Sequence, residues 1–220
     1  LCYYKDLTNE GSCRVCVVEV KGARSLVASC SAVVAEGMEV YTNTPKVLKS
    51  RKTTLELLLS NHEKKCLSCV RSGNCELQKL SNEYGCDENH YHGIKTPVNV
   101  EEYNAYLVRD NAKCILCRRC VAMCNKVQSV GVIGANNRGF NTSIGCAFER
   151  SLGAVDCVAC GQCITVCPVG ALTERDDTQF VVDALHDKTK TVIVGTAPSV
   201  RVALGEEFGY PIGTDVEGKM

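Results

Sequence analysis

The 220-residue chain has few aromatic side chains and no excess of charge of either sign. Aromatic residues make up only 5% of it and tryptophan is absent, which argues against a core built on large rings. The formal net charge is zero, so electrostatics give no reason to expect binding to nucleic acid or to a membrane surface. No apolar run reaches the roughly 18 residues that a membrane span requires, and we predict none.

Cysteine, in contrast, is abundant, with 17 residues. Most of these stand in C-x-x-C runs or one short step beyond, and such close pairs rarely bridge each other. The odd number and the dense grouping disfavour a disulfide scaffold and favour thiolates gathered around metal. Such thiolates require reducing surroundings, and no secretory leader precedes them, so we expect a cytoplasmic protein of an anaerobic organism.

Two runs of cysteines share the spacing C-x2-C-x2-C-x3-C, which is typical of bacterial ferredoxins that hold two [4Fe–4S] clusters. In that pattern the fourth cysteine of each run ligates the other cluster. Only the second run has the usual trailing proline, Pro168, and Asn125 stands at that place in the first. The predicted sets are Cys114, Cys117, Cys120 and Cys167 for one cluster, and Cys157, Cys160, Cys163 and Cys124 for the other.

Two further groups precede these runs. The first of them, with the spacing H-x3-C-x2-C-x5-C, consists of His62, Cys66, Cys69 and Cys75. We predict that it holds a third [4Fe–4S] cluster, although on spacing alone a zinc site with three cysteines and one histidine is a rival. The other group, for which we predict one [2Fe–2S] cluster, consists of Cys2, Cys13, Cys16 and Cys30. Its spacing differs from the plant-type C-x4-C-x2-C pattern.

The remaining pattern predicts short elements around these groups. Cys86 and Cys146 fall in no group, and we predict that they are not ligands. Helices are predicted over 44–60, with Thr44 as N-cap and Pro45 in the first turn, and over 74–84. Strands are predicted at 15–20, 25–28 and 38–42, and a β-hairpin over 130–144 with its turn at 136–139. Near the C-terminus we predict a helix over 178–187, a buried strand over 191–194 and a helix capped by Ser199.

The order of these motifs resembles the electron-transfer part of the large subunit of [FeFe]-hydrogenases. Segment 11–20, GSCRVCVVEV, is similar to that family's [2Fe–2S] segment. Segments 55–62, LELLLSNH, and 73–78, GNCELQ, are similar to its segment for the histidine-ligated [4Fe–4S] cluster. Segment 196–209, TAPSVRVALGEEFG, resembles the opening of the catalytic domain, where an Ala-Pro-Ser turn lies beside the active cluster. The resemblance makes Ala197, Pro198 and Ser199 neighbours of that cluster.

This resemblance implies an α+β fold in four parts. These are a truncated β-grasp [2Fe–2S] ferredoxin-like domain over 1–43, a small helical domain with the histidine-ligated cluster over 44–100, a two-cluster bacterial ferredoxin-like domain over 101–176, and the first strand and helix of a hydrogenase catalytic domain over 177–220. The chain would then be a segment of a longer subunit, truncated at both ends. The cysteines that hold the family's active-site H-cluster, and hence the catalytic residues, would lie outside it.

The function implied is an electron relay of an iron hydrogenase. One [2Fe–2S] and three [4Fe–4S] clusters would pass electrons between the hydrogen-activating site and redox subunits (iron–sulfur, flavin or CO2-reducing) or ferredoxin. Lysines and arginines next to ligands could offset the negative charge of the clusters; they are Lys64, Lys65, Lys113, Arg118 and Arg119.

Three other functions are rivals to this one. A complex I-like subunit would share the first two sites, and we expect it to lack the two-run ferredoxin. An NAD-linked formate dehydrogenase would share all four sites and continue with another C-x2-C motif. A stand-alone polyferredoxin would carry electrons without catalysis.

Overall fold

The computed structural model describes residues 1–96, 100–102, 106–216 and 218. It is an α+β structure with two compact units, Leu1–Arg175 and Asp176–Met220. The strands are β1 (Val17–Val20), β2 (Val27–Ala28), β3 (Val40–Tyr41), β4 (Val100–Glu102), β5 (Leu107–Asp110), β6 (Gly134–Asn136), β7 (Ser143–Gly145) and β8 (Leu172–Glu174). The helices are α1 (Pro45–Asn61), α2 (Glu76–Glu83), α3 (Arg119–Ala122), α4 (Gln162–Thr165), α5 (Thr178–His186) and α6 (Pro198–Glu207).

The N-terminal sheet forms around β1, with the antiparallel order β2-β1-β3. Its three strands lie where the alternating pattern predicts them, although each is shorter than predicted. Helix α1 packs on β1 and buries Val47 and Leu55 completely. Arg51 of α1 donates two hydrogen bonds to the Val17 carbonyl (3.1 and 2.8 Å) and a third to the Tyr84 hydroxyl (2.9 Å). This arginine therefore joins the sheet, α1 and the end of α2.

The two helices of this region begin and end beside candidate ligands. The Thr44 hydroxyl accepts a hydrogen bond from the Val47 amide (3.3 Å), and Pro45 is the first residue of α1, as predicted. Helix α1 ends at Asn61, which makes His62 its C-cap. Helix α2 begins one residue after Cys75, its N-cap. The ends of both helices thus place two members of one predicted ligand set.

The ferredoxin-like region contains a second antiparallel sheet of order β4-β5-β8 and a hairpin of β6 and β7. The hairpin is confirmed, but the predicted four-residue turn is wrong. Asn136 pairs with Ser143, so the connection runs over 137–142. It contains a 3₁₀ turn at Gly139–Asn141, which lengthens the loop beyond what the Asn-Gly pattern indicated.

The C-terminal unit confirms one predicted element and corrects two. Helix α5 forms as predicted. The predicted buried strand over 191–194 is wrong: no described residue of this unit forms a strand with which it could pair, and Ile193 and Val194 are exposed. The N-cap of α6 is Ala197 instead of Ser199, because Pro198 suits the first helical position. None of the described helices is both long and apolar enough to cross a membrane.

Candidate metal centres

The cysteines of the two ferredoxin-type runs line two separate cavities. The first ferredoxin site, a cavity of about 20 Å³, is lined by Cys114, Cys117, Cys120 and Cys167. The second ferredoxin site, also a cavity of about 20 Å³, is lined by Cys124, Cys157, Cys160 and Cys163. Each cavity receives three cysteines from one run and the last cysteine of the other. The thiols are therefore brought together in the crossed grouping, and their ligation of iron stays a prediction.

The same backbone turn builds both sites. Leu116 and Arg118 have positive φ angles of 55° and 60°, and Ala159 and Gly161 have 51° and 71° at the equivalent positions of the second run. In the first run this turn lets the Leu116 amide donate to the Cys114 Sγ atom at 3.4 Å. Helices α3 and α4 follow directly, and each buries the third cysteine of its run. Both runs thus present their thiols in the same way.

Burial makes several of the thiols of these sites poor acids. Burial raises the pKa of Cys114 to about 11 and that of Cys117 to about 12. In the second site burial, reinforced by the charges of Cys160 and Cys157, raises the pKa of Cys163 to about 11. Such thiols are protonated at neutral pH, so a metal bound there must displace their protons.

The arrangement of the thiols suits a cluster of several iron atoms. No three His, Cys, Asp or Glu side chains in the described segments are placed to hold a single metal ion. The thiols stand around the two cavities, where each could reach a different atom of a cubane. Soft thiolate ligands in sets of four are what [4Fe–4S] clusters require, and the residues present fit that group.

The histidine set combines a buried imidazole with an exposed loop. His62 is 9% exposed, and its Nδ1 atom is buried with no hydrogen-bond partner in the described part of the chain. Burial lowers the pKa of this imidazole below its usual 6.5, against a backbone hydrogen bond with Lys113 that acts to raise it. Burial and the charges of Cys75 and Cys69 raise the pKa of the exposed Cys66. The charges of Cys69 and Cys75 thus act on Cys66, whereas the imidazole makes no hydrogen bond to the three thiols.

Hydrogen bonds to backbone carbonyls connect the histidine set to the first ferredoxin site. The Glu63 amide donates to the Ala112 carbonyl at 2.8 Å, two residues before Cys114. The Arg71 guanidinium donates to the Cys167 carbonyl at 3.2 Å. The Glu76 amide donates to the Pro168 carbonyl at 3.1 Å. Both ends of the set are therefore held at fixed places beside this site.

The N-terminal set is tied together by hydrogen bonds to sulfur. The amides of Cys2 and Cys13 donate to each other's Sγ atoms at 3.4 and 3.5 Å. Gly11 has a φ angle of +63°, and a β-carbon there would lie 2.8 Å from the Ser31 Oγ atom. The chain thus needs a glycine at this close approach.

The thiols of this set differ strongly in acidity. Burial opposes ionisation of Cys2, but hydrogen bonds from Cys13 and Ser12 outweigh it and lower its pKa to about 7. Burial, a hydrogen bond with Cys16 and the charges of Cys16 and Cys2 raise the pKa of Cys30 to about 11. The charges of Cys2, Cys16 and Cys30 therefore act on one another. Cys13 is connected to this group by its hydrogen bonds with Cys2.

Some residues of interest lie outside the predicted sets. Arg109, on β5, is 6% exposed and lines the first ferredoxin site, and no sequence signal pointed to it because it precedes the cysteine run and belongs to no motif. Cys146 is fully buried, whereas Cys86 is partly exposed. Neither lines one of the two ferredoxin cavities among the described lining residues. Ala197, Pro198 and Ser199 form the start of α6, in the C-terminal unit.

Three known families match successive regions of this chain. Residues 1–45 match a 2Fe-2S iron-sulfur cluster binding domain. Residues 51–90 match the iron-sulfur binding region of NADH-ubiquinone oxidoreductase-G. Residues 105–173 match the ferredoxin-like domain of NADH-quinone oxidoreductase subunit 3. The chain is therefore a [2Fe–2S] ferredoxin-like domain followed by [4Fe–4S] binding regions, and it is an iron–sulfur protein of electron transfer.

The individual proteins to which this chain is similar are hydrogenases and NADH oxidoreductases. The chain is 49% identical to the NADP-reducing hydrogenase subunit HndD of Solidesulfovibrio fructosivorans and 37% identical to iron hydrogenase 1 of Clostridium pasteurianum. Both matches cover 100% of this chain and 38% of the relative. The 75 kDa subunit of the NADH-ubiquinone oxidoreductase of Reclinomonas americana is 37% identical over 79% of this chain and 25% of its own length. A solved NAD+-reducing [NiFe]-hydrogenase, in the H2-reduced state, has a TM-score of 0.74 at 29% identity and covers 80% of this chain and 75% of its own.

Hydrogenases and NADH oxidoreductases differ in how much of this chain they match. Residues 105–173 match a ferredoxin-like domain named after an NADH-quinone oxidoreductase subunit, so a match in this region does not by itself separate the two kinds of relative. That such subunits lack the two-run ferredoxin stays a prediction. What separates them is the match over the whole chain, which the two hydrogenase relatives alone among those named provide. Over its whole length the chain is similar to the iron–sulfur region of these hydrogenase relatives, and it spans about 38% of their length.

Proposed function

We propose that the predicted ligands hold one [2Fe–2S] and three [4Fe–4S] clusters, which relay electrons for hydrogen activation elsewhere in the full-length subunit. The observation that carries this proposal is the pair of cavities, each lined by four thiols in the crossed grouping. Clusters bound there supply one-electron transfer. The side chains of this chain would bind these clusters and determine their surroundings.

Those side chains would bind the clusters and exclude water from them. The thiolates and His62 would fix each cluster at its site, and the Leu116 amide would donate to a ligating sulfur, which disperses its negative charge. Burial of Cys117, Cys120, Cys163 and Cys167 keeps water from two of the clusters. No acid–base or nucleophilic step is assigned to these residues.

The contacts between sites support a continuous path. The backbone of Lys113 forms a hydrogen bond with His62, and Lys113 directly precedes Cys114. The histidine set therefore borders the first ferredoxin site. The thiol charges of Cys120 and Cys163 act on each other, so the first site borders the second. Electrons would pass from the histidine set through the first site to the second, or in reverse.

The finer domain plan remains part of the proposal. The family matches over 1–45, 51–90 and 105–173 support domains at 1–43, 44–100 and 101–176. We infer that the first is a truncated β-grasp domain and that 177–220 opens the catalytic domain, with Ala197, Pro198 and Ser199 beside the H-cluster. Redox subunits or ferredoxin are the proposed partners, and the cytoplasm of an anaerobe is the proposed compartment.

Metal analysis of the chain purified without oxygen tests the cluster assignment. One [2Fe–2S] and three [4Fe–4S] clusters require about 14 iron atoms and no zinc. About ten iron atoms with one zinc would instead identify the histidine set as a zinc site. A content of two or fewer iron atoms, about one [2Fe–2S] cluster, would refute the relay.

A complex I-like role is the second candidate, because two of the matching regions are named after NADH oxidoreductases. The full-length subunit distinguishes the two roles. Reduction of its clusters by hydrogen gas, followed as bleaching of their visible absorption, supports the hydrogenase. Reduction only in the presence of NADH and a flavin subunit, with no response to hydrogen, supports the alternative.

A further inference from the structure

The two ferredoxin sites are alike in backbone but unlike in charge. Between the second and third cysteines, the first run has Arg118 and Arg119, and the second run has Gly161 and Gln162. Arg119 is 4% exposed and precedes Cys120, and the first cavity is lined by the buried Arg109 and the exposed Arg118. The described residues that line the second cavity include no arginine or lysine. Among the described lining residues, cations therefore stand at the first site and not at the second.

Arg119 is held rigidly where three candidate sites meet. Its Nη1 and Nη2 atoms donate to the two carboxylate oxygens of Glu76 at 2.6 and 2.9 Å, and Glu76 follows Cys75. Nη2 also donates to the Tyr3 carbonyl at 2.9 Å, one residue after Cys2. The guanidinium carbon lies 5.3 Å from the centre of the Tyr4 ring. The cation is thus fixed beside the first ferredoxin site, the histidine set and the N-terminal set.

The positive charge of this ion pair outweighs the negative one at the first site. The Arg119 side chain is 5% exposed and that of Glu76 is 47% exposed, so water screens the carboxylate far more than the guanidinium. Arg119 also directly precedes Cys120. Although burial dominates and raises the pKa of Cys117, the amide and the charge of Arg119 act to lower it. The field of this cation therefore reaches a predicted ligand of the site.

We propose that Arg119, supported by Arg109, raises the reduction potential of the first ferredoxin site above that of the second. Adding an electron makes a cluster more negative, and a buried cation beside it stabilises the reduced form. The site that borders two other sets would then hold an electron more readily than the second ferredoxin site. This inference rests on the proposed cluster ligation and adds an order of potentials to it.

The test is a redox titration of the anaerobically purified chain, followed by electron paramagnetic resonance. Cys117→Ser and Cys160→Ser assign the signals, since each alters the cluster of its own site. Arg119→Gln installs the neutral residue of the second run, and we expect the potential of the first site to fall towards that of the second. Arg118→Gln removes a cation that lines the first cavity but is exposed, so water screens it and the fall in potential should be smaller than in Arg119→Gln.

Two further variants separate charge from structural damage. Glu76→Gln removes the opposing carboxylate and leaves the guanidinium, so the first-site potential should rise. Arg119→Lys keeps the charge and should retain most of the potential. A merely structural role would move the potential in the same direction in Arg119→Gln and Glu76→Gln.

Each outcome decides for or against the inference. A fall in Arg119→Gln no larger than in Arg118→Gln, or equal falls at every cluster, overturns it. If Arg119→Gln loses iron, Glu76→Gln decides: a rise at the first site supports the inference, and a fall or no change overturns it. Absence of the ferredoxin-type signals from the unmodified chain would refute the proposed function instead.

Discussion

A β-carbon placed on Gly170 would lie only 2.6 Å from the Sγ atom of Cys69. Gly170 is buried and follows the last cysteine run by three residues, whereas Cys69 belongs to the histidine set. The space for one predicted ligand thus depends on the lack of a side chain about 100 residues further along the chain. The histidine set is completed by packing against the ferredoxin-like region.

Gly170→Ala should therefore damage the histidine set selectively. The added methyl group must push Cys69 away, because a separation of 2.6 Å is far shorter than a van der Waals contact. We expect loss or conversion of that cluster, with the two ferredoxin clusters retained, in iron analysis and electron paramagnetic resonance. Gly134→Ala is the control, since a β-carbon at Gly134 meets no atom within 4 Å. An intact histidine-site signal in Gly170→Ala would contradict this reading.

Cys124→Ser tests the crossed ligation. The Cys124 thiol lines the cavity of Cys157, Cys160 and Cys163, although it belongs to the first run in sequence. We expect this variant to lose or convert the second ferredoxin cluster and to keep the first. Cys86→Ser should leave the iron content unchanged. If Cys124→Ser removes the cluster of Cys114, Cys117 and Cys120 instead, the grouping is wrong.

Arg51→Met should destabilise the N-terminal region without touching a ligand. The variant removes both hydrogen bonds to the Val17 carbonyl and the bond to the Tyr84 hydroxyl. A hydrogen bond that involves a charged group contributes roughly 1.5–3 kcal/mol, and the three bonds here come from one partly exposed guanidinium, so we expect a total loss of at least about 1.5 kcal/mol. Denaturant unfolding of the loaded chain measures it. Lys49→Met, on the exposed side of the same helix, should cost much less.

The ligand sets could be predicted because their information is local. Spacing alone grouped Cys114, Cys117 and Cys120, and the cap of α1 followed from Thr44 and Pro45. The cavities around the two runs agree with that grouping. Contacts between distant segments could not be predicted, because no pattern near Arg119 indicates that its partners are Tyr3 and Glu76.

The predictions that proved wrong concern a strand and a hairpin turn, both of which depend on how strands pair. Segment 191–194 has the apolar, β-branched composition of a buried strand, but a strand forms only against another strand. The described residues of the C-terminal unit offer none. The hairpin turn failed for a related reason, since the register of β6 against β7 fixed the loop length and the Asn-Gly pattern did not.

Acid should weaken the histidine cluster as pH falls below about 6.5. A histidine ligand binds iron in its neutral form, and burial lowers the pKa of His62 below 6.5. The neutral ring therefore persists to lower pH than in a free histidine, and stability that depends on it is lost only as pH falls below about 6.5. We expect the electron paramagnetic resonance signal of this site to survive at pH 6.5 and to decline on further acidification. Loss of this signal already above pH 6.5 would contradict the prediction.

His62→Cys should keep a [4Fe–4S] cluster and lower its reduction potential. A thiolate in place of a neutral imidazole adds one negative charge, which makes addition of an electron harder; histidine ligands raise the potential of Rieske centres by the same effect. His62→Ala, in contrast, should lose or degrade the cluster, because the buried Nδ1 side of the ring has no other donor beside it among the described residues. His186→Ala, which changes an exposed histidine, is the control for both. Redox titration with electron paramagnetic resonance measures the potentials, and an unchanged spectrum and potential in His62→Ala would show that His62 is not a ligand.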